Sequence, residues 1–222
     1  MSVQKEVYIK IKSELDQENV VLVAVSKTKP NEDIEELYQL GQRAFGENYV
    51  QELVDKHAAL PKDIQWHFIG HLQSNKVKYI APFVHLIHGV DSLKLLTEIN
   101  KQAQKNGRVI ACLLQIHIAK EETKFGMDLT ELEEAVDAAI HLPFISIKGL
   151  MGMASFSDDK DQVRNEFRML HQYFINMQSN LGDPLSILSM GMSGDYQMAI
   201  EEGSTMVRIG SLLFGARNYA NN

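Results

Sequence analysis

Short apolar segments rich in β-branched residues recur along the whole chain and alternate with longer amphipathic segments. Such short runs predict buried β-strands, whereas apolar residues spaced three to four positions apart predict helices. The eight predicted strands are Val20–Ser26, Ala44–Glu47, Trp66–Gly70, Leu86–Val90, Val109–Ile118, Ile145–Met151, Ser186–Met190 and Met206–Ile209. Each strand is followed by a helical or short helix-like segment, and one further helix precedes the first strand.

Several helix boundaries carry capping signals. Asp128 or Thr130 can cap the amphipathic segment 129–142, and Pro30 is suited to the start of a helix over 31–42. A third amphipathic helix is predicted over 163–178. We also expect Ser193 to cap a helix that stops at Gly203, because glycine is favoured just past a helix end.

Eight strands joined by helices favour parallel pairing, since strands buried on both faces have helices over them. The predicted fold is a single (β/α)₈ barrel with an additional N-terminal helix, and residues 1–222 are expected to form one domain. The rival is an open doubly wound sheet. That fold usually has a glycine-rich turn after its first strand, but here the segment Ser26-Lys27-Thr28-Lys29-Pro30 contains no glycine.

Composition narrows the functional classes. The 222 residues are 45% hydrophobic, and 22 basic against 29 acidic residues give a formal charge of −7. A net negative surface disfavours a broad nucleic-acid-binding or anionic-lipid-binding face. The single cysteine, Cys112, excludes an intramolecular disulfide and suits a reducing compartment. With no signal-peptide pattern and no run long enough for a membrane span, we expect a cytoplasmic protein.

If the barrel is correct, function sits at the carboxyl ends of its strands. Lys27 closes the first apolar strand. Burial in the barrel mouth would disfavour its ammonium form, and a neutral amine attacks carbonyl groups. Lys27 is therefore a candidate for Schiff-base formation, although position alone also allows a solvated loop lysine.

The last two strand ends predict a phosphate site. Barrel phosphate sites typically follow strands seven and eight, beside the N-terminus of a short helix. Segment 189–194 supplies hydroxyls and glycines after the seventh strand, and Gly210 and Ser211 follow the eighth. Ordinary turn chemistry explains these residues equally well.

Two further polar residues need partners. Arg208 lies within the eighth strand, where an unpaired charge would be costly, so it requires a carboxylate or a ligand atom. Asn48 follows the second strand and would point over the barrel mouth, unless it is only a turn residue.

Three other potentially reactive residues have simpler explanations. His67 and His71 are four apart on an extended segment, which is not the helical spacing of a metal pair. His71, past the strand end, is expected to shape the pocket or its loop. Cys112 lies inside an apolar strand and is expected to be part of the core.

Taken together, these segments resemble the pyridoxal phosphate homeostasis protein family. The resemblance runs in order over nearly the whole chain, and the strings FGEN and WHFIGHLQ are its most specific parts. The matching segments are Ala24–Thr28, Phe45–Glu52, Trp66–Lys76, Gly149–Met153, Leu188–Ser193 and Gly203–Gly210.

The resemblance implies a barrel similar to the N-terminal domain of alanine racemase that binds pyridoxal 5′-phosphate (PLP). By this resemblance Lys27 forms the Schiff base with PLP, and Arg208 faces the pyridine nitrogen. The residues implied around the rest of the cofactor are Ser189, Gly210 and Ser211 at the phosphate, the backbone around Met190 nearby, and Asn48 close to the ring.

The function expected from this is intracellular PLP homeostasis: the protein buffers PLP or delivers it to PLP-dependent apoenzymes, as a monomer and without robust catalysis. An arginine beside the pyridine nitrogen disfavours its protonation and weakens the ring as an electron sink. We also expect no second domain to supply a further base. Two alternatives stay open, namely a low-activity PLP-dependent amino acid racemase and a lysine-dependent aldolase-type barrel without PLP.

Overall fold

Eight parallel strands form a closed barrel in the order in which they occur along the chain, and β8 pairs with β1 to complete it. The computed structural model describes residues 3–121, 125–178 and 185–215. The strands are β1 (Val21–Val25), β2 (Ala44–Glu47), β3 (Gln65–Phe68), β4 (Leu86–Val90), β5 (Ile110–Ile116), β6 (Ile145–Gly152), β7 (Ile187–Ser189) and β8 (Met206–Ile209).

Helices follow the strands and cover the outside of the barrel. They are α1 (Lys5–Gln17), α2 (Asn31–Gln39), α3 (Val50–Ala59), α4 (Val77–Ile80), α5 (Leu93–Lys105), α6 (Leu129–Ala139), α7 (Lys160–Gln178), α8 (Tyr196–Glu201) and α9 (Ser211–Phe214), and a 3₁₀ turn, Ser74–Lys76, leads into α4. The predicted barrel with its leading helix is confirmed. Among the described residues, every helix falls short of the length and apolarity that crossing a bilayer would need.

The core has two layers because side chains of a strand alternate between its two faces. Outward residues such as Leu22, Phe45 and Ile87 pack beneath the helices in a large cluster. A smaller apolar cluster fills the barrel interior, with Val23, Ala44, Leu86, Leu113, Met151 and Met206. The same alternation directs Lys27 and Arg208 inward, two residues beyond Val25 and Met206 respectively.

One predicted helix cap is confirmed and another is wrong. Asp128 caps α6 in a reciprocal box with Glu131, as one of the two expected caps. The prediction that Ser193 caps the next helix is wrong, because α8 begins at Tyr196 and the Ser193 hydroxyl accepts a hydrogen bond from the Gly210 N–H at 3.3 Å. Ser193 therefore links the β7 and β8 ends instead.

Candidate functional site

A cavity of about 370 Å³ lies at the carboxyl ends of the strands. This volume is in the range of small-molecule sites, about 300–1,000 Å³. Five of the seven predicted site residues line it: Lys27, Asn48, Arg208, Gly210 and Ser211. Its wall is completed by residues from the same rim, among them Val25, Ile69, Met153, Phe156, Met192 and Ser193. These predicted residues, from three separate chain segments, thus meet in one place.

Two lysines lie on the β1 side of this cavity. Lys27 follows the inward-facing Val25 at the strand end and is half-buried, and Lys29 lies two residues further. The Lys29 ammonium donates to the Phe214 carbonyl oxygen at 2.8 Å. Lys29 therefore ties the β1 loop to α9.

Arg208 forms part of the cavity floor, and its guanidinium is buried. It donates to the Ser189 hydroxyl at 2.6 Å and to the Gly152 carbonyl at 3.1 Å. Within the described ranges no carboxylate forms an ion pair with it. Burial lowers the pKa of Arg208 to about 10, so the group stays charged at neutral pH. Asp195 offsets this effect of burial only in part. Arg208 is therefore a buried cation that faces a cavity and has no ion-pair partner among the described residues.

Ser189 and Met190 lie below the cavity and do not line it. Ser189 is fully buried, and its hydroxyl bonds to Arg208 and to His88 Nδ1, the latter at 3.1 Å. The Met190 side chain points outward into the core beneath the helices, and its carbonyl accepts from the Ser204 hydroxyl at 2.8 Å. Phosphate binding by Ser189 and Met190 stays a prediction, while Met192, Ser193 and Gly194 form the cavity wall after β7.

A chain of buried side chains continues from Ser189 through the barrel interior. His88 Nε2 lies 2.9 Å from His67 Nδ1. Burial lowers the pKa of both histidines, that of His67 to about 3, so both are neutral. Sequence reasoning treated His67 only as a doubtful metal ligand and missed His88. The period-2 pattern of β4 could have placed His88 inside the barrel.

The two ligand candidates of the WHFIGH segment are separate in space. His71 forms a 2.8 Å contact with Asp91 and stacks on Phe125, and it lines a neighbouring groove. In the part of the chain that the structure describes, no group of histidine, cysteine and acidic residues could hold a metal ion. Cys112 is fully buried, as expected, and burial raises the pKa of its thiol to about 12.

The end of β8 brings backbone close to the cavity. A side chain at Gly210 would place its Cβ 3.2 Å from Val25, so glycine keeps this approach open. Ser211 begins α9, and the first N–H groups of a helix have no partner within the helix. Together with the Ser193 link, these groups form a polar rim that suits an anion.

Asn48 supplies an acceptor on the β2 side. Its Oδ1 is buried and has no hydrogen-bond partner within the described residues. Such an atom is costly unless a ligand donor reaches it. The cavity thus combines an amine, an unsatisfied acceptor, a buried cation and a polar rim.

The loop that carries Lys27 is held by charged side chains that lie outside the cavity lining and that were not predicted from the sequence. Glu47, from the FGEN string, and Lys56 and Glu52, from α3, all bond to this loop. The signal for Glu47 was a carboxylate within an apolar strand, which needs a partner when it is buried.

Comparison with known proteins identifies the family to which this chain belongs. The sequence profile described as alanine racemase, N-terminal domain, matches residues 8–218. The pyridoxal phosphate homeostasis protein of Aquifex aeolicus is 44% identical over 199 residues, covering 89% of this chain and 87% of the relative. That of Escherichia coli K12 is 40% identical over 207 residues, covering 91% and 88%. The chain belongs to the pyridoxal phosphate homeostasis protein family.

Solved structures agree with this family and with its fold. PipY of Synechococcus elongatus PCC7942, determined with PLP bound, is 36% identical, with a TM-score of 0.87 and coverage of 95% of this chain and 99% of that one. An alanine racemase of Clostridium difficile 630 has a TM-score of 0.76 at 15% identity, and the match covers 98% of this chain and 58% of the racemase. The racemase likeness therefore shows a shared barrel and nothing more.

Proposed function

We propose that this protein binds PLP in the barrel-mouth cavity and holds it for buffering or delivery. The observation that carries the proposal is the buried Arg208 guanidinium, which faces the same cavity as Lys27 without a carboxylate partner among the described residues. An isolated buried charge is costly. A ligand that offers an acceptor at this point explains why it is retained. The PLP-bound relative supports the same ligand class.

The cavity fits PLP group by group. PLP supplies an aldehyde that condenses with a primary amine, on a ring that withdraws electrons. Lys27 would provide the amine, and Arg208 would donate a hydrogen bond to the pyridine nitrogen. The polar rim of Ser193, Gly210 and Ser211 would hold the phosphate, and Asn48 would contact a donor at the ring edge.

We propose further that the site does not support robust catalysis. Arg208 donates hydrogen bonds only and stays charged at neutral pH, so it holds an acceptor nitrogen without a proton. PLP-dependent racemases and decarboxylases need strong electron withdrawal by the ring. The homeostasis names of the relatives favour the same conclusion. Recipients would be PLP-dependent apoenzymes, reached in the cytoplasm by a monomer.

The decisive experiment replaces the proposed amine. The purified protein is incubated with PLP, its visible spectrum is recorded, and borohydride reduction fixes any bound pyridoxyl group for peptide mapping. Wild type should show the absorption band of lysine-bound PLP and a reduced adduct on Lys27, whereas Lys27→Ala should lose both.

The matched control is Lys29→Gln, which removes the second amine of the cavity and keeps a donor for the Phe214 carbonyl. It should retain the band. A Lys27→Ala protein with an undiminished band would refute the assignment. The same holoprotein, incubated with single-enantiomer amino acids, should leave their chirality unchanged over many hours, and rapid racemisation would overturn the non-catalytic part of the proposal.

A further inference from the structure

Lys27 is flanked by two residues whose backbones are bonded to charged side chains. Ser26 is fully buried, and its hydroxyl donates to Glu47 Oε1 at 2.6 Å while its carbonyl accepts from Lys56 Nζ at 2.8 Å. On the other side, the Thr28 N–H donates to Glu52 Oε1 at 2.6 Å. The peptide that carries Lys27 is therefore held both before and after this residue.

Lys56 lies at the centre of these bonds. Its ammonium contacts Glu47 Oε1 at 2.8 Å and Glu52 Oε1 at 2.7 Å, in addition to the Ser26 carbonyl. An ammonium has three N–H donors, and all three are used. The side chain is only 6% exposed, so this is a buried cation satisfied in full by the loop and by two carboxylates.

The conformation of the loop explains why such anchoring is needed. Thr28 has φ +62°, a left-handed conformation that β-branched residues rarely adopt. Residues held in this region persist only where surrounding contacts fix them. The Glu52 bond to the Thr28 N–H and the bond from the Lys29 N–H to the Ser26 carbonyl, at 3.0 Å, close the turn around Lys27.

We infer that Lys56, Glu47 and Glu52, here called the Lys56 cluster, position Lys27 for covalent capture of the aldehyde in the cavity. The inference rests on the proposed function. None of the three lines the cavity. They act through the loop backbone and are positioning residues.

Covalent capture is more sensitive to this positioning than recognition is. Condensation would join the Lys27 nitrogen to the aldehyde carbon by a double bond, and the aldehyde oxygen would leave as water with the two amine protons. The step requires the amine to stay close to the carbonyl in a reactive geometry, and a misplacement of about 1 Å can slow such a step about 100-fold. Recognition of the ring nitrogen and the phosphate would depend on Arg208 and on the β7 and β8 loops. Although β8 pairs with β1, none of these residues is a hydrogen-bond partner of the Lys56 cluster. Loss of the cluster should therefore impair the covalent step and spare non-covalent binding.

The test separates these two steps with two ligands. PLP reports capture through the rate and amplitude of its visible band. Pyridoxine 5′-phosphate has an alcohol in place of the aldehyde and reports binding alone, measured by calorimetry. Lys56→Met should form the band about 10–100-fold more slowly, with an affinity for pyridoxine 5′-phosphate within about threefold of wild type. Lys78→Met, which removes an exposed lysine outside the cavity, should match wild type in both measurements.

A second pair of variants tests the cluster at a more accessible position, where folding is less at risk, because Glu52 is 23% exposed. Glu52→Ala removes the acceptor for Thr28, whereas Glu52→Gln keeps an oxygen there. The alanine variant should slow capture, and the glutamine variant should restore most of the rate.

Three results would overturn the inference: equal losses for both ligands, wild-type capture by Lys56→Met and Glu52→Ala, or no rescue by Glu52→Gln. These results differ from failure of the proposed function itself. That failure requires Lys27→Ala to keep the band, whereas wild-type kinetics in the cluster variants would leave the role of Lys27 intact.

Discussion

Replacing Arg208 by methionine should stabilise the ligand-free protein and weaken its response to PLP. The guanidinium is buried at the cavity floor with two hydrogen bonds and no ion pair among the described residues. Methionine is unbranched, adapts to irregular space and carries no charge. The variant therefore removes a group that we assign to ligand binding and that the folded protein holds at a cost.

The size of the effect follows from the pKa of Arg208. Burial lowers this pKa from 12.5 to about 10, and each pKa unit corresponds to about 1.4 kcal/mol, so the charge costs the folded state ~3 kcal/mol. The substitution also leaves the Ser189 hydroxyl and the Gly152 carbonyl without their guanidinium donor, at about 1 kcal/mol each. The expected balance is a stabilisation of ~1 kcal/mol. For a chain of this size it corresponds to a rise in Tm of about 2–4 °C.

The assay is thermal unfolding with and without PLP, followed by circular dichroism. Arg208→Met should have the higher Tm without ligand and a smaller PLP-induced increase than wild type. Arg164→Met is the matched control, because Arg164 is partly exposed and pairs with Glu201 and Glu202 at 2.6 Å. Because exposed ion pairs contribute little to stability, it should melt close to wild type. It should also keep the full PLP-induced increase. A ligand-free Arg208→Met protein that melts well below wild type would refute the stability argument, and an undiminished PLP response would refute the contact with the ring.

Two further predictions test the barrel around the site. Cys112 should resist a thiol reagent in the folded protein because it is fully buried. Its thiol pKa of about 12 also lowers the thiolate fraction about 1,000-fold relative to an ordinary cysteine. Labelling as fast as in denaturant would contradict this burial. Gly149→Ala should lower the free energy of unfolding by more than ~3 kcal/mol, because the new Cβ would lie 1.7 Å from the Ile187 carbonyl oxygen. The control is Gly107→Ala, where no atom lies within 4 Å of the new Cβ. It should lower the free energy of unfolding by about 1 kcal/mol. Equal losses in denaturant titrations would show that β6 adjusts to the added methyl group.

The barrel was predictable because its strands follow a simple rule. Strand positions and order came from apolar runs, and the closed order β1 to β8 is the one that consecutive β/α units produce. In the structure, alternation along β1 and β8 places Lys27 and Arg208 on the inner face, which the sequence argument had only assumed for Lys27. Helix boundaries that depend on single hydrogen bonds were harder to predict. The Ser193 cap was wrong because its hydroxyl accepts from the N–H of Gly210, seventeen residues away in the chain.

The anchoring side chains could not be foreseen for the same reason. Glu47 and Lys56 are nine residues apart, on a strand and on the following helix, and both bond to a loop that precedes them by about twenty to thirty residues. Neither spacing matches a local motif, so only the packing of α3 against β2 and the β1 end brings them together. Sequence pattern indicates where a charged residue is buried, while its partner depends on tertiary structure.

The interior of the barrel has an apolar part and a polar part, and the polar part lies next to the cavity. Its lower part is apolar, with Ala44, Leu86 and Met206, as barrel interiors usually are. Directly beneath the cavity this packing gives way to the buried polar chain that runs from His67 through His88 and Ser189 to Arg208. Apolar residues would fill the same volume without a desolvation cost. Under the proposed function this polar chain would serve the ligand: neutral histidines and a serine hydroxyl hold the guanidinium in place, and a group that enters the cavity would accept a hydrogen bond from it.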